Sequence, residues 1–212
     1  KWNALNVLIQ NASTVGGLDI CSSFFEIQDN FSFFDKLENK KFKFLYLLGS
    51  DNLNIKKENE FIVYQGSHGD RGAEIADIIL PGAAYTEQNG LFSNLEGRVQ
   101  ECRKASYPAG DAKEDWKILS LISEKIDNKK LFKNFEVLRN EAIKEIKNFS
   151  EINQLPNFKK SNSKKIQFSY TPEKIDIKKL DYYYSNSICR SSKTMSDCRL
   201  NNKSFLKDGT NN

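Results

Sequence analysis

Three short apolar runs decide the fold of this chain: KFKFLYLL at residues 41–48, FIVY at 61–64 and IIL at 78–80. The first run begins with alternating polar and apolar residues and becomes continuously apolar, as in a strand that is buried on both faces. Each run ends in a glycine-containing loop, GSDN at 49–52, QGSHGD at 65–70 and PG at 81–82. Runs of this kind predict parallel strands whose carboxyl ends carry the loops.

Helices and a hairpin are predicted on either side of these strands. Apolar residues from Trp2 to Val15 recur at helical spacing, and Gly16-Gly17 predicts the end of that helix. Residues 20–37 lack a clean period, so we interpret them as a loop with a short helix around 31–37. Residues 92–94 and 98–102 predict a small hairpin.

Two more helices are predicted before residue 150. Asp111 and Glu114 have the spacing of a capping box, in which the Asp111 carboxylate accepts backbone N–H groups at the start of a helix. That helix carries Trp116 and Ile126 on one face, and a second helix is predicted over 131–149.

The carboxyl-terminal quarter is more polar. Past Pro156 the sequence predicts a surface loop to residue 163, an edge strand at 167–170, and then an extended arm with a short helix. We therefore expect an α/β fold, a Rossmann-like and mostly parallel sheet flanked by helices, with an extended carboxyl-terminal arm. The expected division is an α/β domain at 1–155 and a basic extension at 156–212.

Composition excludes several classes of protein. The 212 residues are 39% hydrophobic and 12% aromatic, which excludes a wholly disordered chain, and no apolar stretch is long enough to span a membrane. The single histidine excludes a mechanism that needs two histidines.

The carboxyl-terminal tail is basic. Residues 159–212 hold 12 basic and 5 acidic residues. Such a tail can bind nucleic acid, or it can reflect AT-rich codon usage. Because the chain lacks the patterning of known nucleic-acid-binding folds, we expect no nucleic-acid partner.

The four cysteines do not predict a metal site. Cys21, Cys102, Cys189 and Cys198 are scattered, and none lies in a C-x-x-C pair that could hold zinc or an iron–sulfur cluster. We interpret them as reduced thiols.

The loop GSHGDRG at 66–72 is the sharpest local cluster of polar residues. A catalytic triad needs serine, histidine and a carboxylate to converge, and we expect the side chains of the neighbours Ser67 and His68 to diverge. The glycine spacing also differs from that of a phosphate-binding loop. Glu87 and Glu96 are candidates for paired carboxylates, and Arg98 for an anion ligand, but nothing in the sequence brings them together. We therefore assign no catalytic, cofactor-binding or metal-binding residue.

Three stretches carry a resemblance to a known family: YQGSHGD at 64–70, ADIILPGAAYTE at 76–87 and NLEGRVQ at 94–100. Together they resemble the carboxyl-terminal, molybdopterin oxidoreductase-like part of the 75 kDa or G-type iron–sulfur subunit of respiratory complex I. EDWKI at 114–118 and SICRSSKTM at 187–195 match the mitochondrial type of that subunit more closely than the wider family. Leu91, Ser93 and Ser67 depart from the residues that are usual in the family.

The resemblance implies a structural function. It implies a non-catalytic part of the peripheral arm of the proton-pumping NADH:ubiquinone oxidoreductase, which supports electron transfer from NADH to quinone. The alternative is a fragment of a molybdopterin-dependent oxidoreductase. His68, Glu96 and Arg98 match positions that line the former cofactor pocket, and the resemblance assigns them no catalytic role.

The resemblance also implies partners and a location. It implies no cofactor in this chain, with iron–sulfur clusters in the preceding half of the subunit or in a partner chain. The expected partners are that half and neighbouring peripheral-arm subunits, without a direct membrane span. The expected location is the matrix side of the mitochondrial inner membrane, or alternatively the cytoplasmic side of a bacterial inner membrane.

Overall fold

A three-stranded parallel sheet forms the centre of the computed structural model, which describes residues 12, 14–24, 39, 42–51, 53, 55–155 and 181–202. Its strands are β1 (Phe44–Leu48), β2 (Phe61–Gly66) and β3 (Ile78–Pro81), in the order β1-β2-β3. All pairs are parallel, with Phe44 opposite Phe61 and Val63 opposite Ile78. This confirms the α/β class and the three predicted strands.

One face of the sheet holds the main core. Leu45, Leu47, Ile62 and Tyr64 are buried there, and partly buried side chains from both strand connections pack on them. Right-handed crossovers in a sheet of order β1-β2-β3 place both connections on the same side. The second connection contains the short helix α2 (Arg71–Glu74).

The opposite face is apolar and covered only in part. Phe44, Phe61 and Ile78 are 55%, 46% and 45% exposed at its amino end. The rings of Phe44 and Phe61 stack with their centroids 6.2 Å apart. Helix α3 (Asp115–Asp127) approaches the other end, where Ile118 and Leu121 line a groove of about 470 Å³ beside Leu80.

A hairpin, one helix and the turn after it form a second, smaller core. Strands β4 (Gly90–Ser93) and β5 (Val99–Cys102) pair in antiparallel fashion, as predicted. Val99 packs with Ile146 and Phe149, which follow helix α4 (Phe135–Glu145). A 3-10 turn at Lys147–Phe149 ends this region.

The prediction that Gly16-Gly17 ends the first helix is wrong. Helix α1 runs from Thr14 to Phe24 and contains both glycines, so residues 20–24 are also helical and not a loop. Gly16 is buried against the hairpin, and a Cβ there would make a tight contact of 3.3 Å with the Cβ of Ser93. Residues 1–11 of the predicted first helix and the predicted short helix at 31–37 lie outside the described residues.

The predicted capping box is also wrong. Asp111 lies outside α3, and the N-cap residue Glu114 makes no side-chain cap hydrogen bond. The Asp115 N–H instead donates to Oε1 of Gln88 at 3.2 Å. Helix α4 is shorter than predicted, since it begins after Asn134, whose Oδ1 accepts the Val137 N–H at 2.9 Å.

In the carboxyl-terminal region, the described residues 181–202 are helical and hold two helices where one short helix was predicted. A 3-10 turn at Tyr182–Tyr184 precedes α5 (Ser187–Ser191) and α6 (Lys193–Asn201). Asn186 and Ser192 cap these two helices through their side chains. The predicted loop at 156–163 and edge strand at 167–170 lie outside the described residues. Among the described helices, none is long and apolar enough to cross a membrane.

Candidate functional site at the carboxyl edge of the sheet

The polar residues singled out in the sequence follow the carboxyl ends of the strands. Asp51 follows β1, and the glycine-rich loop of residues 66–72 follows β2. Residues 82–88 follow β3 and lead to the hairpin. Open α/β sheets bind their ligands at this edge, so it is the candidate site on geometric grounds.

The Tyr64 ring fills the space beside the glycines. A Cβ on Gly66 would lie 2.6 Å from Cζ of Tyr64, and one on Gly72 would lie 2.9 Å from its Cδ2. Tyr64 is 2% exposed, and its hydroxyl donates to the His68 carbonyl at 2.5 Å. The glycines therefore make room for a side chain of this chain, where a ligand-binding loop would leave a cradle.

The Tyr64 hydroxyl stays neutral in this setting. Burial, followed by the nearby charges of Asp51 and Asp70, raises the pKa of Tyr64 to about 12, although Arg190 acts in the opposite direction. Tyr64 is consequently a hydrogen-bond donor at physiological pH and does not act as a phenolate nucleophile.

Ser67 and His68 do meet, against the expectation that their side chains diverge. Ser67 Oγ lies 2.9 Å from Nδ1 of His68. The nearby carboxylate of Asp70 is engaged elsewhere: Oδ1 accepts the Arg71 N–H and Oδ2 accepts from Arg190 Nε at 2.7 Å. Asp70 therefore does not serve as the oriented carboxylate that a catalytic triad requires.

Arg190 is the residue of this edge that the sequence reasoning missed. Its guanidinium bridges two carboxylates, with Nε 2.7 Å from Asp70 Oδ2 and Nη2 2.8 Å from Asp51 Oδ2. Arg190 lies 120 residues after Asp70, and no local pattern predicts a contact at that separation. The match of 187–195 to a family motif is the one signal that marks this stretch.

A buried network of amides holds the start of α3 against the sheet. Gln65, which is fully buried, accepts from the Tyr46 hydroxyl at 2.5 Å and donates to Asp115 Oδ1 at 2.8 Å. Gln88 Nε2 donates to the other oxygen of Asp115 at 2.9 Å. Both oxygens of this carboxylate are thus occupied by the chain's own side chains.

The remaining candidate residues serve separate loops. Glu87 Oε2 accepts the Ala84 N–H at 3.0 Å and closes a turn. Glu96 is exposed in the hairpin turn, and Arg98 Nη1 donates to the Asn153 carbonyl at 3.3 Å. In the part of the chain that the structure describes, no group of three metal-ligating side chains comes together, and all four cysteines are free.

Glu114 is a buried carboxylate beside this edge. Its Oε2 accepts from the indole of Trp116 at 2.8 Å, and its Oε1 lies 3.3 Å from Lys104 Nζ. Burial alone raises the pKa of Glu114, but the hydrogen bonds from Trp116 and Lys104 and the charge of Lys117 outweigh it and lower the pKa below 4.5. The charged form is therefore the one that stabilises the fold.

We expect Glu114→Gln to lower the free energy of unfolding by about 2 kcal/mol at neutral pH, because charged hydrogen bonds are lost from a buried site. A carboxyl with a lowered pKa stabilises the fold above its unfolded-state pKa and loses that effect as pH falls. The difference between the two proteins should therefore shrink below about pH 4.5. Apparent unfolding temperatures of the native assembly, measured from neutral to acid pH, test this. Glu124→Gln, on an exposed position of the same helix, is the control; a gap that stays constant with pH would contradict the expectation.

The comparisons with known proteins agree on the kind of protein that this chain resembles. The family model for molybdopterin oxidoreductase matches residues 1–125. The chain is 40% identical over 203 residues to the NADH-ubiquinone oxidoreductase 75 kDa subunit of Reclinomonas americana, covering 93% of this chain and 29% of that protein. It is 40% identical over 200 residues to the G-type NADH-quinone oxidoreductase subunit of Rickettsia bellii, covering 93% and 28%. The mitochondrial NADH-ubiquinone oxidoreductase 78 kDa subunit of Candida albicans is 36% identical over 215 residues, again covering 93% and 28%. The chain thus spans less than a third of the length of these relatives.

Proposed function

The chain belongs to the molybdopterin oxidoreductase family, and from that premise we propose that it is a structural, non-catalytic part of the peripheral arm of a proton-pumping NADH:ubiquinone oxidoreductase. In that position it supports electron transfer from NADH to quinone without taking part in the chemistry. The observation that carries the proposal is the similarity over 93% of the chain to subunits of NADH:quinone oxidoreductases from mitochondria and bacteria.

The carboxyl edge of the sheet supports the non-catalytic part of the proposal. The molybdopterin group that the family name implies is bulky and anionic, and the residues present do not fit it. The Tyr64 ring occupies the space beside Gly66 and Gly72, and the carboxylates of Asp51 and Asp70 face the one guanidinium of Arg190. No step of the proposed function passes through such a group, and iron–sulfur clusters are assigned to the preceding half of the subunit or to a partner chain.

The apolar face of the sheet suits a subunit that packs against a larger body. All-parallel sheets are almost always covered on both faces, and here Phe44, Phe61 and Ile78 are exposed. We propose that the cluster-bearing half of the subunit, or a neighbouring peripheral-arm subunit, covers this face. In the same proposal residues 1–155 form the family domain and residues 156–212 an extension of it.

The proposed location follows from the same relatives. Their names and sources place them among mitochondrial and bacterial NADH:quinone oxidoreductases. We propose the matrix side of the mitochondrial inner membrane, or the cytoplasmic side if the source is bacterial.

His68 provides the test of the non-catalytic role, because it is the only histidine and lies in the candidate site. We expect His68→Ala to leave NADH:quinone activity of the assembled complex within about twofold, whereas loss of a chemical role would cost about a hundredfold or more. When the complex is purified through a tag on this chain, the NADH:quinone activity should follow the tag. A complex that assembles normally but loses activity about a hundredfold would contradict the proposal. About one molybdenum atom bound per chain would instead support the molybdopterin enzyme alternative.

A further inference from the structure

We propose that residues 181–202, which we name the strap, are fastened by Arg190 over the carboxyl edge of the sheet, so that strap and glycine-rich loop open and close as one unit. The inference concerns a contact within this chain, and it holds independently of the assembly in which the chain works.

The strap is held together by contacts among its own side chains. Arg199 Nε lies 2.7 Å from Asp181 Oδ2, and its guanidinium carbon lies 4.8 Å above the Tyr184 ring. Tyr184 also donates from its hydroxyl to Ser196 Oγ at 3.1 Å, and Asn202 Nδ2 donates to the Tyr183 hydroxyl at 2.8 Å. A unit that is bonded internally in this way can be held by a single strong contact.

Arg190 supplies that contact. Its side chain is 19% exposed, and those of Asp51 and Asp70 are 17% and 30% exposed, so the three charges are partly withdrawn from water. Arginine donors in a fixed fork suit two carboxylates at once. Removal of Arg190 leaves both carboxylates uncompensated, whereas removal of one carboxylate leaves a single ion pair, so the contact depends most on the guanidinium.

Asp70 couples the strap to the loop. Its φ of 144° and ψ of −162° lie in a region that residues other than glycine rarely adopt. A strained residue of this kind persists only where its surroundings hold it. Here the Asp70 carboxylate is held by Arg190 on one oxygen and by the Arg71 N–H on the other. When Arg190 leaves, we expect Asp70 to relax.

The relaxation should reach the ligand edge itself. Asp70 is the N-cap residue of α2, and Gly72 within that helix packs against the Tyr64 ring. Tyr64 in turn bonds the His68 carbonyl in the same loop. The strap therefore takes the position that a ligand takes in other open α/β sheets, with a guanidinium as its anchoring group.

Hydrogen–deuterium exchange on the assembled native complex tests the proposal. We expect Arg190→Gln to speed exchange about tenfold or more in peptides from both 181–202 and 66–74, because a partly buried ion pair is broken. Arg139→Gln is the matched control, since Arg139 is similarly placed at 26% exposure and pairs with Glu101 on another part of the chain; it should change neither set of peptides.

Two results would overturn the proposal. The first is that the strap of Arg190→Gln exchanges at a rate within about twofold of the wild-type rate. Such a difference is too small for loss of the Arg190 ion pairs. The other is faster exchange in the strap without any change in 66–74. Where Arg190→Gln prevents assembly, Asp51→Asn carries the same test. It removes one of the two carboxylate partners and leaves Asp70 in place, so a smaller rise in both regions is expected and the same two results count against the proposal.

Discussion

Expressed by itself, the 212-residue chain is expected to aggregate or to unfold without a cooperative transition. The reason is the partly covered apolar face of the sheet, where Phe44, Phe61 and Ile78 are about half exposed, together with the groove beside α3. Each of these half-exposed side chains forgoes about half of the 1.5–3 kcal/mol that full burial supplies, so the three together forgo about 2–4.5 kcal/mol, a large fraction of the about 5–15 kcal/mol of a whole domain. Size-exclusion chromatography and a denaturant titration are the measurements.

A pair of variants separates this cause from general insolubility. Phe61→Lys places a charge on the exposed part of this face and should raise the soluble fraction. Tyr107→Lys changes an aromatic residue that is also exposed but lies outside that face, and it should have no such effect. A wild-type chain that is monomeric and shows one sharp two-state transition would be the contrary result.

Replacement of Gly72 by alanine is expected to destabilise the domain by about 3 kcal/mol, the upper end of the usual cost of overpacking. A Cβ at this position would lie 2.7 Å from the Ser50 carbonyl oxygen and 2.9 Å from the Tyr64 ring. The carbonyl belongs to the backbone, which cannot rotate away as a flexible side chain can. For a domain of this size the loss corresponds to an apparent unfolding temperature lower by about 6–12 °C, measured on the native assembly.

Gly17 is the matched control for this substitution. It is exposed in helix α1, and a Cβ there would meet nothing within 4 Å. Gly17→Ala should therefore stabilise the helix by about 0.5–1 kcal/mol through the loss of backbone freedom in the unfolded chain. Equal unfolding temperatures for the two variants would argue against tight packing at Gly72.

The sheet is predictable from sequence because its information is local. The three strands coincide with the apolar runs at 44–48, 61–64 and 78–80, and such runs are carried by neighbouring residues alone. The hairpin is predictable for a similar reason, since its turn is set by neighbours: Asn94 Oδ1 accepts the Glu96 and Arg98 N–H groups, and Gly97 has a φ of 78°.

The features that were predicted wrongly or missed depend on contacts between residues that are distant along the chain. Local spacing favours a helix stop at Gly16, whereas this residue faces Ser93 in the hairpin. Local spacing also favours Asp111 as a cap, whereas the cap of α3 comes from Gln88, 27 residues before Asp115. The bridge from Arg190 to Asp70 spans 120 residues. Local propensity contains no term for such contacts, so a single sequence does not predict them.

The cap of α3 also implies an order of events in folding. An N-terminal cap normally lies within a few residues of its helix and is present as soon as the helix begins. In this chain the Asp115 N–H has Gln88 as its acceptor, and the Asp115 carboxylate is shared between Gln88 and Gln65 of β2. The first turn of α3 is therefore incomplete until the turn after β3 has formed and met the edge of the sheet. Helix nucleation is unfavourable without such help, so we expect the strands to pair first and α3 to form on them, growing from an amino terminus that the sheet provides.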